Sequence, residues 1–170
     1  MLGRRDGDTG TGYGPPTYLR ELTEVGPGTP LGELLRRSWH PTGLSSDAGA
    51  TPTAVRVLGE DLVLFRDGRG RPALVVARCA HRGTTLYDGR VEAHGVRCCY
   101  HGWPFDTEGH CLEQPCEPGG GTQRERIRQP WYPVQERYGP IFAPRRSPAG
   151  DYRTAGSSIA SARRCCPRCG

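Results

Sequence analysis

The chain has 170 residues, of which only 35% are hydrophobic, and it contains 25 glycines and 16 prolines. This composition favours one small β-rich domain with many turns and flanking tails, and it excludes a helical bundle. The net charge of +5 comes from residues 145–170, which hold six arginines and one aspartate, so the rest of the chain is neutral and predicts no nucleic-acid-binding face.

The first 16 residues are rich in Gly, Asp, Thr and Pro, and we expect them to be disordered. No apolar stretch follows the early arginines, so the sequence predicts no secretory signal. The longest apolar run, residues 73–77, is too short to span a membrane. Eight cysteines without such a signal indicate a reducing, cytoplasmic compartment where thiols bind metal or stay free.

Residues 17–50 form a lead-in segment with one predicted helix. Thr29 is a suitable N-cap, and Pro30 suits the first helical position. The helical spacing then predicts a buried side made of Leu31, Leu34, Leu35 and Trp39.

From residue 53 the pattern changes to short strands. Residues 54–58 and 61–65 predict a hairpin with its turn at Gly59-Glu60, and a strand over residues 73–77 follows a turn at residues 67–70. Further strands are predicted at residues 96–98, 103–106, 131–134 and 140–143. We therefore expect a mostly β domain of small antiparallel sheets over residues 51–143.

Residues 144–170 lack any hydrophobic period and are rich in Arg, Ser, Ala and Gly, so we expect an unstructured tail. The cysteines in this tail, Cys165, Cys166 and Cys169, supply three thiols without the fourth ligand of a closed zinc site. We interpret them as incidental to function.

Two short motifs carry the chemistry of the sequence. Cys79 and His81 form C-x-H, and after 16 residues Cys98 and His101 form C-x-x-H. Each motif follows a predicted strand and is followed by glycine, as expected for two loops that project from a β scaffold towards one point. Two thiolates on one iron and two imidazoles on the other would hold a mixed-ligand [2Fe–2S] cluster.

Two alternatives remain open from the residues alone. Two cysteines and two histidines also make a structural zinc site, although zinc fingers usually pair Cys with Cys and His with His. In addition, Cys99 forms a C-x-H unit with His101 and competes with Cys98 as the ligand. The C-x-x-H spacing favours Cys98, and we then expect Cys99 to be a free thiol packed inside.

These loops, together with residues 18–143 around them, resemble the Rieske domain of bacterial aromatic-ring-hydroxylating oxygenase α subunits, especially the phthalate-dioxygenase-like group. The resemblance includes CAHRG at residues 79–83 and CCYHGWPFDTEGHCLEQPCEP at residues 98–118. It implies three small antiparallel sheets and a Rieske-type [2Fe–2S] cluster at an exposed tip, held by Cys79, His81, Cys98 and His101.

The resemblance also implies the partners. Thr84 and Tyr100 stand where the Rieske proteins of respiratory complexes carry two further cysteines, and Trp103 stands where those proteins carry a hydrogen-bonding serine. Fewer donors to the cluster imply a lower potential. A soluble electron relay that receives single electrons from a flavin-containing reductase or a ferredoxin fits this better than a quinol oxidase.

Complete members of that family carry a second domain with a mononuclear iron, and many form trimers. No histidine lies beyond residue 110, so we expect a truncated or frameshifted product without the oxygen-activating site or the trimer contacts. The alternatives are a stand-alone Rieske ferredoxin and a structural zinc-binding module.

We expect the other histidines, cysteines and aromatic residues considered as candidates to have structural roles and not to bind the cluster. We expect His40 to pack or to lie at the surface, and His94 and His110 to face solvent. Trp103 and Phe105 alternate on a predicted strand and should belong to the core. Cys111 and Cys116 are predicted to be free thiols near the core.

Overall fold

The computed structural model describes residues 19–144, and these form a mostly β domain with short helices at its start. The elements in chain order are α1 (Arg20–Thr23), α2 (Pro30–Leu35), β1 (Trp39–Leu44), β2 (Thr53–Val57), β3 (Glu60–Arg66), β4 (Pro72–Val76), β5 (Arg90–Glu92), β6 (Gly95–Arg97), β7 (Pro104–Asp106), β8 (Trp131–Tyr132), β9 (Gln135–Glu136) and β10 (Pro140–Pro144). A 3₁₀ turn at Pro118–Gly120 lies between β7 and β8.

A four-stranded antiparallel sheet in the order β2-β3-β4-β8 occupies the centre of the domain. Both of its faces are covered, because strand β3 alternates between two separate clusters of buried side chains. Val63 and Phe65 pack with one cluster, and Leu62 and Leu64 pack with the other. A strand that is buried on both faces reads as a continuous apolar run, and residues 62–65 are such a run.

Two three-stranded antiparallel sheets flank the central one. The sheet β1-β10-β9 contributes Ile141 and Ala143 to the Leu62 and Leu64 side. The sheet β5-β6-β7 contributes Val96 and Phe105 to the Val63 and Phe65 side. The predicted class of small antiparallel sheets is thus confirmed, and the loops that carry the Cys and His motifs lie on the side of the β5-β6-β7 sheet.

The predicted helix starts where expected but ends early. Thr29 caps α2 and accepts a hydrogen bond from the Gly32 amide, with Pro30 at the first position. The predicted buried side is wrong, because the side chain of Leu34 is 59% exposed and that of Trp39 is 46% exposed. Trp39 begins strand β1, which pairs with β10 about a hundred residues later in the chain. The described residues also contain one helix that was not predicted, α1.

The first hairpin turns one residue earlier than expected. Leu58 and Gly59, both with positive φ, form the two-residue turn, and β3 already begins at Glu60 opposite Val57. Glu60 therefore belongs to the strand and lies on the same face as Leu62 and Leu64, where it is buried. The predicted turn would have left it in solvent.

The predicted disorder of residues 1–16 and the predicted tail of residues 144–170, except for Pro144 itself, lie outside the described residues. Among the described helices, none has the length and apolar character needed to cross a lipid bilayer.

A buried ion pair joins the lead-in segment to the central sheet. Arg36 Nη2 lies 3.3 Å from Glu60 Oε1, and only 10% of the arginine side chain and 7% of the glutamate side chain are exposed. Arg36 also donates to the Leu58 carbonyl at 2.8 Å, and the Tyr132 hydroxyl donates to Glu60 Oε2. The carboxylate is thus held by a cation and a hydroxyl.

We predict that Arg36→Met lowers the free energy of unfolding by about 3 kcal/mol, because it leaves the Glu60 carboxylate buried without its cation. The matched control is Arg56→Met, which removes an ion pair with Asp61 whose side chains are 72% and 69% exposed. An exposed pair contributes less than about 1 kcal/mol. Urea unfolding followed by circular dichroism measures both losses, and equal losses would contradict the role given to Arg36.

Candidate metal centre

The two Cys and His motifs lie on loops that have the same backbone geometry. In the first loop, residues 79–83, the Gly83 amide donates to the Cys79 carbonyl at 2.8 Å. In the second loop, residues 98–102, the Gly102 amide donates to the Cys98 carbonyl at 3.1 Å. Both glycines have a φ of +71°, a backbone angle that residues other than glycine rarely adopt.

The equivalence extends to the residues on either side of each loop. The amide of Cys79 donates to Thr84 O, and the amide of Cys98 donates to Trp103 O, each five residues ahead. An arginine precedes each cysteine and donates to the carbonyl of the loop glycine: Arg78 to Gly83 at 3.4 Å and Arg97 to Gly102 at 2.6 Å. Cys98, not Cys99, therefore occupies the position that corresponds to Cys79.

The second loop is braced more firmly than the first. The guanidinium of Arg97 donates through Nε to Glu92 at 2.7 Å and through Nη2 to Glu113 at 3.2 Å, in addition to its bond to Gly102. Hydrogen bonds from Arg97 and Arg90 lower the pKa of Glu92 to about 2. Arg97 thus links the second loop to β5 and to the segment after β7.

The sulfurs of Cys79 and Cys98 lie together in the protein interior, each residue being 3% exposed. A hydrogen bond from Cys79 lowers the pKa of the Cys98 thiol to about 6, and amide hydrogen bonds from Tyr100 and His101 act in the same direction. The pKa of Cys79 is raised, chiefly by its hydrogen bond to Cys98 and by burial. The pair therefore supplies one thiolate readily, and thiolate is the form that binds metal.

The two imidazoles form a second pair beside the sulfurs. The ring centroids of His81 and His101 are 4.6 Å apart. Burial lowers the pKa of both imidazoles, and the nearby Arg82 guanidinium lowers both further. Both rings therefore tend to be neutral, which is the state that coordinates metal.

Trp103 orients the first histidine. Its ring stacks on His81 with the centroids 3.9 Å apart and the planes 2° from parallel. Trp103 is 3% exposed, which confirms that it belongs to the core, although it precedes β7. Its Nε1 is buried without a hydrogen-bond partner among residues 19–144. Phe105, which lies on β7, is also fully buried as predicted.

The donors fit a two-iron group. The two sulfurs form one pair and the two imidazoles form another. This matches the division of ligands between the irons of a mixed-ligand [2Fe–2S] cluster. Amide hydrogen bonds to both sulfurs agree with this fit.

The other candidate residues have different environments. Cys99 is exposed, so the prediction that it packs inside is wrong, since its loop position corresponds to the exposed Ala80. Cys111 is buried and donates to the Glu113 carbonyl at 3.2 Å, as expected of a thiol near the core. Cys116 is exposed, so its predicted place near the core is wrong; it lies in the turn segment before Pro118.

The three other histidines lie away from the sulfurs. His94 and His110 are exposed as predicted, and His110 Nδ1 lies 2.9 Å from Asp106 Oδ2. His40 is partly buried, with its ring nitrogen against the Leu35 carbonyl.

Sequence reasoning missed the residues that support the loops. Arg78 and Arg97 had a signal, since both motifs read Arg-Cys-x-x-x-Gly. Gln129 had none: it lies nearly fifty residues from the first loop, yet its buried side chain contacts that loop directly. A contact of this range depends on the fold and leaves no local pattern.

The comparison with protein families gives a match to the Rieske [2Fe-2S] domain over residues 38–133. Among curated proteins, the chain is 63% identical over 123 residues to the phenoxybenzoate dioxygenase subunit alpha of Ectopseudomonas oleovorans, covering 72% of this chain and 30% of that protein. It is 37% identical over 125 residues to the phthalate 4,5-dioxygenase oxygenase subunit of Pseudomonas putida, covering 72% and 28%.

A solved structure of dicamba monooxygenase bound to dicamba is also similar, with a TM-score of 0.60 and 30% identity over 68% of this chain and 36% of that chain. The chain thus spans about 30% of the length of the curated relatives it matches. By name, both curated relatives are subunits of dioxygenases.

Proposed function

The chain belongs to the Rieske [2Fe–2S] domain family, and from this premise we propose that it relays single electrons through a cluster held by Cys79, His81, Cys98 and His101. The observation that carries the proposal is the equivalence of the two loops, which brings two buried sulfurs together and two imidazoles into contact with each other. A bound Rieske-type cluster supplies reversible one-electron transfer. No other chemistry is required of this domain.

Other residues of the chain position the proposed ligands and favour their metal-binding forms. Cys79 and Cys98 supply buried sulfur donors, while amides of the two loops donate to these sulfurs and favour the thiolate. Trp103 fixes the plane of the His81 ring by stacking on it. The two imidazoles are only partly buried, and the exposed Arg82 and Tyr100 lie next to them in the loops. An electron-transfer partner could therefore approach the imidazole edge.

The relatives suggest the physiological setting. By analogy with these oxygenase subunits, we propose that the domain receives electrons from a flavin-containing reductase or a ferredoxin and serves an aromatic-ring-hydroxylating oxygenase in the cytoplasm. The O₂-activating iron of such an oxygenase would belong to a part of the protein other than residues 51–143, which we propose as the cluster-binding unit. The lead-in of residues 17–50 adds strand β1 to this unit.

Reconstitution of the purified chain with iron and sulfide under anaerobic conditions tests the proposal. We predict two irons and two acid-labile sulfides per chain, a visible spectrum, and uptake of one electron per cluster in a dithionite titration. Zinc reconstitution in parallel is the control. Protein that retains zinc but neither sulfide nor visible colour would contradict the proposal and favour a structural zinc site.

A further inference from the structure

Gln129 is a fully buried polar residue in the segment that precedes strand β8. A buried amide is costly unless each of its polar groups finds a hydrogen-bond partner. The carboxamide of Gln129 finds three. Its Oε1 accepts from the Ala80 amide at 2.7 Å, and its Nε2 donates to the carbonyls of Val76 at 2.7 Å and Arg78 at 2.9 Å.

The chemistry of these partners fixes the orientation of the carboxamide. Ala80 offers a donor, while Val76 and Arg78 offer acceptors, so a flipped amide would place donor against donor and acceptor against acceptor. The three partners are the last residue of β4, Val76, the residue before Cys79, Arg78, and the residue before His81, Ala80. One side chain therefore holds the backbone that presents both donors of the first loop.

The backbone of Gln129 reaches in the opposite direction, towards the second loop. Its amide donates to the Gly109 carbonyl at 2.7 Å, and the Gly109 amide donates to Asp106, the last residue of β7. Strand β7 follows the second loop and pairs with β6, which precedes that loop. Gln129 thus connects the first loop to the hairpin that carries the second.

We propose that Gln129 is a positioning residue that sets the first loop against the second, so that Cys79 and His81 face Cys98 and His101. This inference depends on the proposed cluster-binding function. An apolar side chain of the same size would fill the volume of Gln129 but would leave the Ala80 amide and two carbonyls without partners. The first loop would then adopt other conformations, and the two pairs of donors would be held less firmly.

The test replaces Gln129 by methionine, which keeps the length of the side chain and removes its hydrogen bonds. We expect the reconstituted Gln129→Met protein to release iron to a chelator ten- to a hundredfold faster than the wild type, as is common when residues that orient metal ligands are lost. We also expect altered g-values of the reduced protein in electron paramagnetic resonance. Arg36→Met is the control for lost stability, because the Arg36 side chain contacts Glu60 on β3 and the Leu58 carbonyl in the turn before β3.

A second measurement does not depend on a variant. Ala80 is exposed, yet the structure gives its amide a short hydrogen bond to a fully buried acceptor. Hydrogen exchange of the wild-type protein, followed by mass spectrometry with fragmentation to single residues, should show a protected Ala80 amide. Rapid exchange at Ala80 would overturn the inference even if Gln129→Met failed to fold.

The outcomes separate the two proposals. If the wild-type chain binds no iron and sulfide, the proposed function fails. If the wild type binds the cluster and Gln129→Met keeps the wild-type g-values and iron release, only the role of Gln129 fails. Faster iron release in Arg36→Met to the same extent would assign the effect to lost stability and would also overturn the inference.

Discussion

Replacing Cys98 by alanine should abolish the visible spectrum and the acid-labile sulfide of the reconstituted protein, whereas replacing Cys99 by alanine should preserve both. This is the expected result if the cluster binds as proposed, because Cys98 shares a buried position with Cys79 while its neighbour in the chain is exposed. Loss of one of two thiolates leaves an iron without a full ligand set. The expected change is therefore complete loss, not a graded decrease.

The pair of variants is closely matched, since both remove one thiol from the same loop. Cys79→Ala, His81→Ala and His101→Ala should behave like Cys98→Ala. Iron, sulfide and absorbance are measured after anaerobic reconstitution, and far-UV circular dichroism compares each variant with the metal-free wild type to establish that it folds. The reverse result, colour in Cys98→Ala and none in Cys99→Ala, would transfer the ligand role to Cys99.

The local motifs of the sequence predicted the family and its cofactor, while the end of one helix and the position of one turn were predicted wrongly. The strand predicted over residues 61–65 and the two loops were recognisable because each depends on a few adjacent residues. The sequence already indicated that the loops are equivalent, because the spacing from Cys79 to Gly83 equals that from Cys98 to Gly102. Only the structure, however, shows that the amide of each glycine closes its loop on the cysteine carbonyl.

Three of the failures have a common physical origin in long-range contacts. The helical pattern of residues 30–39 could not reveal that Trp39 pairs with Pro144, because a strand partner at that distance leaves no local periodicity. The buried position of Glu60 likewise depends on Arg36 and Tyr132, which lie on other elements. Gln129 was overlooked for the same reason, since its side chain binds three backbone groups that lie 49 to 53 residues away in the chain.

Gly109 is packed so closely that replacing it by alanine should strongly lower the stability of the domain. Gly109 has a φ of +79°, and a Cβ added to it would lie 2.0 Å from the Gln129 carbonyl oxygen. The backbone of Gln129 cannot move aside as a flexible side chain can. The turn after β7, which contains Gly109, would therefore have to move away from the backbone of Gln129. We predict that Gly109→Ala lowers the free energy of unfolding by on the order of 3 kcal/mol, combining the strain of a positive φ with overpacking.

The chain offers a control that isolates the packing contribution. Gly70 has nearly the same φ, +83°, but a Cβ added there meets nothing within 4 Å. Gly70→Ala should therefore carry only the backbone strain, about 1 kcal/mol. Urea unfolding of the two variants measures the difference, and the excess loss in Gly109→Ala reports how closely the β7 turn approaches Gln129. Equal losses of the free energy of unfolding would mean that Gly109 and the Gln129 backbone are farther apart than in the structure. The proposed connection from Gln129 to the second loop would then be contradicted.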